Sequence, residues 1–280
     1  MITNIYETYP IKDKLLPFHF HLEDYDPNVD YPNWHNELEL LYCINEGGSV
    51  RCDGIEYQFK NNDIICINPD QLHSSSTDST FVYYCLIINS DFCIDNGIDI
   101  SKLKFNNYIS DDKLSIKFSK LVDAYQKLEN FDSNPYDENL CKANIRLCVL
   151  DILVYLAENY KFDNKASVSN ETSTDYVKKV LEFISQNMSS NFSLDEIAEH
   201  VKVSKYHLVR EFKRITGHTI VEQINILKCN EAKNLIASGL SVSQAATQLG
   251  YNNLPYFSQM FKKHMGVPPS KNRFVTLERI

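Results

Sequence analysis

The sequence predicts a two-domain α+β protein: a β-barrel with packed helices, followed by an all-α domain built from a repeated helix–turn–helix unit. Three observations predict it. Short alternating apolar runs, broken by tight-turn signals, fill the chain up to about Cys93. The polar stretch Asp163 to Thr174 carries no packing pattern. Beyond it, Phe212-Lys213-Arg214-Ile215-Thr216-Gly217 recurs 49 positions later as Phe261-Lys262-Lys263-His264-Met265-Gly266. With 280 residues, 43% of them hydrophobic, the chain is long enough for two cores. The boundaries read as a first domain over 1–162, a linker over 163–174 and a second domain over 175–280.

In the first clear strand Leu38, Leu40 and Tyr42 fall on one side and Glu39, Leu41 and Cys43 on the other. Glu46-Gly47-Gly48 turns the chain, and Val50 and Cys52 lead into an Asp53-Gly54 hairpin signal followed by Ile55, Tyr57 and Phe59. Asn61-Asn62-Asp63 then turns into Ile64-Ile65-Cys66-Ile67, which Pro69 ends, and Phe81 to Ile88 forms another long strand. Such short strands fit a barrel or a sandwich.

From Asp112 to about Tyr160 the periodicity becomes helical. Leu114, Phe118, Leu121, Val122 and Tyr125 mark one segment, Asn134-Pro135 breaks it, and Leu140 to Tyr160 forms another. Ile145, Leu147, Val149, Leu150, Ile152, Leu153, Leu156 and Ala157 give this second helix a broader apolar surface than a surface helix needs. It either packs on both the barrel and a second subunit, making a homodimer through 112–160, or only covers its own barrel.

In the second domain Ser193 and Glu196 form a capping box before Ile197, Ala198 and Val201. A second helix follows from Ser204, with Leu208 and Phe212 on its packing side and Tyr206, Val209, Arg210 and Lys213 largely on the other. The plan repeats with Ser241 and Gln244, then Ala245, Ala246 and Leu249, a turn at Gly250, Asn253 as the next cap, and Phe257 and Phe261 as the buried face. Gly250 can take positive φ without a Cβ clash. Lys202 stands at the matching turn of the first unit, where a left-handed backbone costs about 1–2 kcal/mol. Between the units a helix of nineteen residues, Ile220 to Ser238, spans roughly 28 Å and can set two reading helices about one DNA turn apart.

The stretch Asp175 to Phe274 resembles the arabinose-regulator (AraC/XylS) family of bacterial transcription regulators. The resemblance runs through Ile197-Ala198, Ser204, Leu208, Arg210-Glu211-Phe212-Lys213, Gly217, Ala232, Leu235, Gly250-Tyr251, Tyr256-Phe257-Ser258, Phe261-Lys262-Lys263, Gly266 and Pro268-Pro269. It implies a seven-helix domain that binds double-stranded promoter DNA, recruits or obstructs RNA polymerase, and accompanies an effector-binding or dimerising domain. Carried over position by position, it directs Tyr206, Val209 and Arg210 to base edges in the first unit and Leu254, Pro255, Ser258 and Gln259 in the second. It directs Ser204, Lys205, Lys213, Asn253, Lys262 and Lys263 to the DNA backbone. Many relatives carry Arg where Gln259 stands, so the second unit is expected to read thymine methyls and backbone shape more than guanine edges.

Trp34-His35-Asn36-Glu37-Leu38-Glu39 and Pro69-Asp70-Gln71-Leu72-His73 resemble the sugar-sensing cupin domain of the same family, over about Phe18 to Phe92. Enzymatic cupins bind a metal with a histidine pair and a glutamate from the first motif and a histidine from the second. Here His35, Glu39 and His73 match three places while Asn33 takes the first histidine's, and the reading assigns no metal, no cofactor and no enzymatic activity. Trp34, His35, Glu39, Tyr42 and His73 are the candidates to line a small-molecule effector site, because they combine flat apolar area with hydrogen-bonding groups. The competing reading is a closed barrel filled by its own side chains. Two other classes stay open: a non-sensing DNA-binding protein and a cupin enzyme fused to a DNA-binding domain.

Charge divides along the same boundary. From Asp175 onward there are 14 Lys and Arg against 9 Asp and Glu, a net of +5, while the whole chain carries −9, leaving −14 for the first 174 residues. The basic half would steer toward phosphates. Eight cysteines without a Cys-x-x-Cys pair fit buried free thiols in a reducing cytoplasm rather than a zinc cluster. No run of 18 apolar residues suggests a membrane span, and the first residues lack a signal-peptide pattern.

Overall fold

A computed structural model describes residues 5–25, 32–77, 81–130, 135–162, 173–190 and 192–274. Its strands are β1 (Phe18–Tyr25), β2 (Leu38–Cys43), β3 (Gly48–Cys52), β4 (Ile55–Gln58), β5 (Ile64–Ile67), β6 (His73–Thr77), β7 (Phe81–Ile88), β8 (Lys104–Phe105), β9 (Tyr108–Ile109) and β10 (Lys161–Phe162). They form an antiparallel sheet of order β1-β7-β2-β5-β9, a second of order β4-β3-β6, and a small β10-β8 pair. The period-two alternation read in β2 sets the layers. Leu41, Cys43, Ile65, Ile67, Cys85 and Ile87 join Val50, Cys52 and Phe59 of the smaller sheet's hairpin in the core between the sheets. Leu38, Leu40 and Tyr42 face the other way, into a core shared with helices.

Those helices are α1 (Ser90–Asp95), α2 (Asp112–Glu129) and α3 (Pro135–Asn159). The Asp111 carboxylate caps α2 by accepting from the N–H groups of Lys113 and Leu114, and its other oxygen accepts from Tyr155 and Tyr160 at 2.8 and 2.5 Å, which ties α3 to α2. On α3, Ile145, Val149, Ile152, Leu153 and Leu156 are fully buried. Leu140, Leu147 and Val154 face outward.

The second domain contains α4 (Ser173–Gln186), α5 (Leu194–His200), α6 (Lys205–Thr216), α7 (Ile220–Ala237), α8 (Val242–Gln248), α9 (Leu254–Met265) and a closing 3-10 helix, Pro269–Phe274. Most of the expected linker, 163–172, lies outside the described residues, and Ser173 and Thr174 already belong to α4. The two domains meet in one apolar cluster: Ile5, Trp34 and Leu72 are buried together with Tyr176, Val177, Val180 and Leu181 of α4. No helix among the described residues is long and apolar enough to cross a membrane.

Candidate DNA interface and effector site

The two helix–turn–helix units form as their caps require. Ser193 Oγ accepts from Glu196 N–H at 3.2 Å while the Glu196 carboxylate accepts from Ser193 N–H at 2.6 Å. Ser241 and Gln244 do the same at 3.2 and 2.9 Å. A third box, Thr219 with Glu222, starts α7 and went unread in the sequence. The turns match atom for atom: Val203 N–H donates to Ala198 O and Tyr251 N–H to Ala246 O, each at 3.0 Å. Both turn residues are left-handed, Lys202 at φ 56° and Gly250 at φ 75°. A Cβ at Gly250 would also lie 2.9 Å from the Ser189 carbonyl oxygen, so that turn needs glycine twice over.

Leu208 and Phe212 on α6, and Phe257 and Phe261 on α9, are fully buried. This turns the opposite faces to solvent. Tyr206 is 78% exposed, and Val209, Arg210, Leu254, Pro255 and Gln259 are exposed with it, while Ser258 is half-buried. The 18 residues of α7 give roughly 27 Å between the two units. Ser204 and Asn253 use their side-chain oxygens as caps, accepting from His207 and Tyr256 N–H groups. Lys205 reaches Asp195 at 2.8 Å, whereas Lys213, Lys262 and Lys263 are exposed along the last turns of their helices.

The barrel brings three of the five effector candidates together. His35 Nε2 lies 2.8 Å and His73 Nε2 3.3 Å from the same oxygen, Glu39 Oε2, and all three residues are buried. Burial alone would favour the neutral acid, but the hydrogen bonds and charge of the two imidazoles outweigh it and hold Glu39 below the usual carboxylate range. Burial likewise opposes charge on His73, yet its hydrogen bond to Glu39 and the carboxylate's charge raise its pKa. His73 Nδ1 donates to Gln71 O at 2.9 Å, which fixes the ring with Nε2 toward Glu39.

Two candidates lie elsewhere, which corrects the sequence reading. Tyr42 is on the opposite side of β2 from Glu39, as strand alternation demands, stacked on Phe118 and bonded to Asn62 and Ser115. Trp34 turns away from His35 into the interdomain cluster, where Lys178 Nζ of α4 sits 5.5 Å from its ring centre. The site also contains residues not read from the sequence. Cys85 Sγ donates to Glu39 Oε1 at 3.3 Å, and Tyr9 sets its ring edge-on to His35 with centres 5.2 Å apart. Cys85 could have been found, because it sits on the same face of the sheet as Glu39: it pairs with Leu41, two residues along β2. Nothing in the local sequence around Tyr9 points to the barrel.

His35, Glu39 and His73 offer ligand atoms that lie within 4.8 Å of one another, a set that could hold a metal ion. The Asn33 side-chain oxygen and His35 Nδ1 are buried nearby in sequence without hydrogen-bond partners. Two neutral imidazoles and one carboxylate are the donors a borderline divalent ion takes. The residues therefore fit such an ion even with Asn33 in place of a histidine.

Paired helix–turn–helix units joined by one helix, beside a barrel with a buried polar cluster, define a DNA-binding regulator with a ligand-binding domain. The matching family descriptions are the AraC-like ligand binding domain over residues 18–138 and the helix-turn-helix domain over residues 197–273. The multiple antibiotic resistance protein MarA of Escherichia coli is 31% identical over 103 residues, 36% of this chain and 81% of MarA. The chain belongs to the AraC family of transcription regulators. The uncharacterized HTH-type transcriptional regulator YbfI of Bacillus subtilis is 26% identical over 241 residues, 84% of this chain and 85% of YbfI. The bifunctional transcriptional activator/DNA repair enzyme AdaA of Bacillus subtilis is 31% identical over 150 residues. That match spans 52% of this chain and 64% of AdaA.

Proposed function

We propose that this regulator binds promoter DNA through Tyr206, Val209 and Arg210 of α6 and Leu254, Pro255, Ser258 and Gln259 of α9, and that a small polar ligand held by His35, Glu39 and His73 sets its affinity. The observation that carries the reading is an adjacency. Trp34 and Leu72, packed in the cluster with α4, immediately precede His35 and His73. Between them Asp70 N–H donates to His35 O at 2.8 Å, while Lys178 Nζ of α4 reaches Asp70 O at 2.5 Å and its Oδ1 at 2.7 Å. A ligand that shifts His35 and His73 must also shift the residues on which α4 rests. Such a ligand acts only through a difference in affinity between domain arrangements.

A sugar is the effector class the family resemblance suggests, its hydroxyls meeting the imidazoles and the carboxylate. The chain acts as a regulator rather than an enzyme, with RNA polymerase recruited or obstructed at the promoter. It works as a homodimer through α3. Leu140, Leu147 and Val154 are 55%, 65% and 46% exposed and recur every seven residues, with Ala143 and Leu150 between them. That is an apolar heptad seam outside the chain's own core, and a second copy of the same helix covers it.

The test is operator binding by the full chain with and without candidate metabolites, beside a variant carrying His35→Ala and Glu39→Ala. Ligand-dependent affinity in the parent, absent from a variant with normal ligand-free binding, supports the reading. A parent whose operator affinity no metabolite or ion alters leaves the barrel as a scaffold.

A further inference from the structure

The two domains also touch at a second place, away from α4 and the polar cluster. Asp53 and Gly54, left-handed at φ 48° and 88°, turn the hairpin between β3 and β4. That turn lies against the last turn of α6: a Cβ added at Gly54 would stand 3.1 Å from Ile215 Cα and 3.3 Å from Arg214 O. Backbone packs on backbone there, an approach that glycine permits. On the other side Gly217, the left-handed cap of α6, meets Arg51 of β3, whose Nε lies 3.3 Å from where a Gly217 Cβ would stand.

We propose that the β3–β4 hairpin is an autoinhibitory latch, which in its docked position weakens DNA binding by α6 and releases when the first unit engages the duplex. The latch rests on the reading of α6 as a base-reading helix and is independent of what the barrel binds. Placement supports it first. Tyr206, Arg210, Lys213 and Gly217 follow one another at spacings of four, three and four, so the hairpin abuts the end of the α6 face proposed to meet DNA. Charge supports it next. The hairpin carries Glu56, its side chain 41% exposed, and belongs to the 174 residues that net −14, a poor neighbour for an approaching phosphate backbone. The contact is also separable. Arg51 keeps its hydrogen bonds inside the hairpin, Nη2 donating to Glu56 Oε2 at 2.6 Å and Nη1 to Gly54 O at 3.4 Å, while Arg214 Nε donates to Glu211 within α6. These bonds survive release. What favours docking is close packing and the Arg51 charge at the negative end of the α6 dipole, opposed by the like charges of Lys213 and Arg214 in the same last turn.

A wedge in the contact tests the latch on the full-length protein. Asn also adopts a left-handed backbone, so Gly54→Asn keeps the turn while its side chain must enter space held by Ile215 and Arg214. Gly97→Asn is the control, since Gly97 is left-handed at φ 80° and an added Cβ there meets nothing within 4 Å. Gly54→Asn should tighten operator binding by about tenfold, the change expected for a latch closed in roughly nine molecules of ten, and Gly97→Asn should leave it unchanged. In the unmodified chain, operator DNA should speed amide hydrogen exchange across the turn, 53–56, and this measurement decides the matter alone if Gly54→Asn does not fold. A folded Gly54→Asn protein that binds operator no tighter than the control overturns the latch, as does a turn whose exchange DNA slows or leaves unchanged. Arg210→Ala in both backgrounds separates the two readings. If it costs no specific affinity in either, α6 is not the reading helix, whereas a loss on Arg210→Ala beside unchanged affinity in Gly54→Asn overturns the latch alone.

Discussion

Arg210 donates from Nε to one oxygen of its neighbour Glu211 at 3.1 Å, with Nη2 in ion-pair contact with the same oxygen, so a carboxylate holds the guanidinium proposed to read a base. The other Glu211 oxygen accepts from Arg214 Nε at 2.8 Å, which fixes the carboxylate between two guanidinium groups. Arg210 is exposed, so exchanging Glu211 for guanine O6 and N7 costs little in solvent. Arg210→Ala should weaken specific binding by about 1–3 kcal/mol and relax preference at one base pair. Glu211→Gln should loosen the clamp and strengthen binding to random duplex more than to operator. Equal losses on operator and random DNA for Arg210→Ala would show that the residue does not read bases.

Lys213 and Lys262 occupy equivalent places on α6 and α9, exposed and near the helix ends. Each changed to Ala should weaken operator and random DNA alike and reduce the salt slope by about 1. A slope unchanged by both substitutions places the phosphates elsewhere.

The outer face of α3, the proposed seam, illustrates what the sequence could and could not tell. The breadth of the apolar surface on α3 was legible, but periodicity alone did not say which side was occupied by the chain's own core. Leu153, one of the apolar residues of that surface, is fully buried, while Leu147 is 65% exposed. Leu147→Glu should give folded monomers at micromolar concentration by sedimentation. Leu153→Glu should instead unfold the domain, because it buries an unpaired charge. A parent that sediments as a monomer at that concentration removes the seam from the account.

The helical domain was the more legible half because its signals are local. Capping boxes, turn residues and spacings of three and four act within one or two turns of helix, and Lys202 proved left-handed as its alignment with Gly250 required. The barrel site depends on contacts between strands distant in sequence. Strand alternation already put Tyr42 on the far side from Glu39. Only the position of α4 decides that Trp34 serves the domain interface.

The two turns give a paired stability test. Lys202→Gly should relieve a left-handed conformation worth about 1–2 kcal/mol, leaving a gain of up to about 1 kcal/mol after the greater chain entropy of glycine. Gly250→Ala should destabilise, since its Cβ would meet the Ser189 carbonyl at 2.9 Å. Denaturant midpoints read both. A loss of stability in Lys202→Gly means that the lysine side chain contributes more than its backbone strain costs.

The contact between the domains makes the last prediction. Asp70 is itself left-handed, at φ 62°, and its side chain is 64% exposed, so its ion pair with Lys178 contributes little energy through charge. Its value is positional: Lys178 joins Asp70 O and Oδ1 to the face of Trp34, and the Asp70 N–H holds His35 O. Lys178→Met keeps the aliphatic stem against Trp34 while removing the ammonium donor. Trp34 is the chain's single tryptophan, so its emission reports the arrangement of the domains rather than ligand contact. The variant should fold, retain ligand or metal binding at His35, Glu39 and His73, and show altered Trp34 emission. Its operator affinity should no longer respond to that binding. A Lys178→Met protein in which occupancy of the barrel still changes operator affinity as fully as in the parent would place the coupling outside this contact.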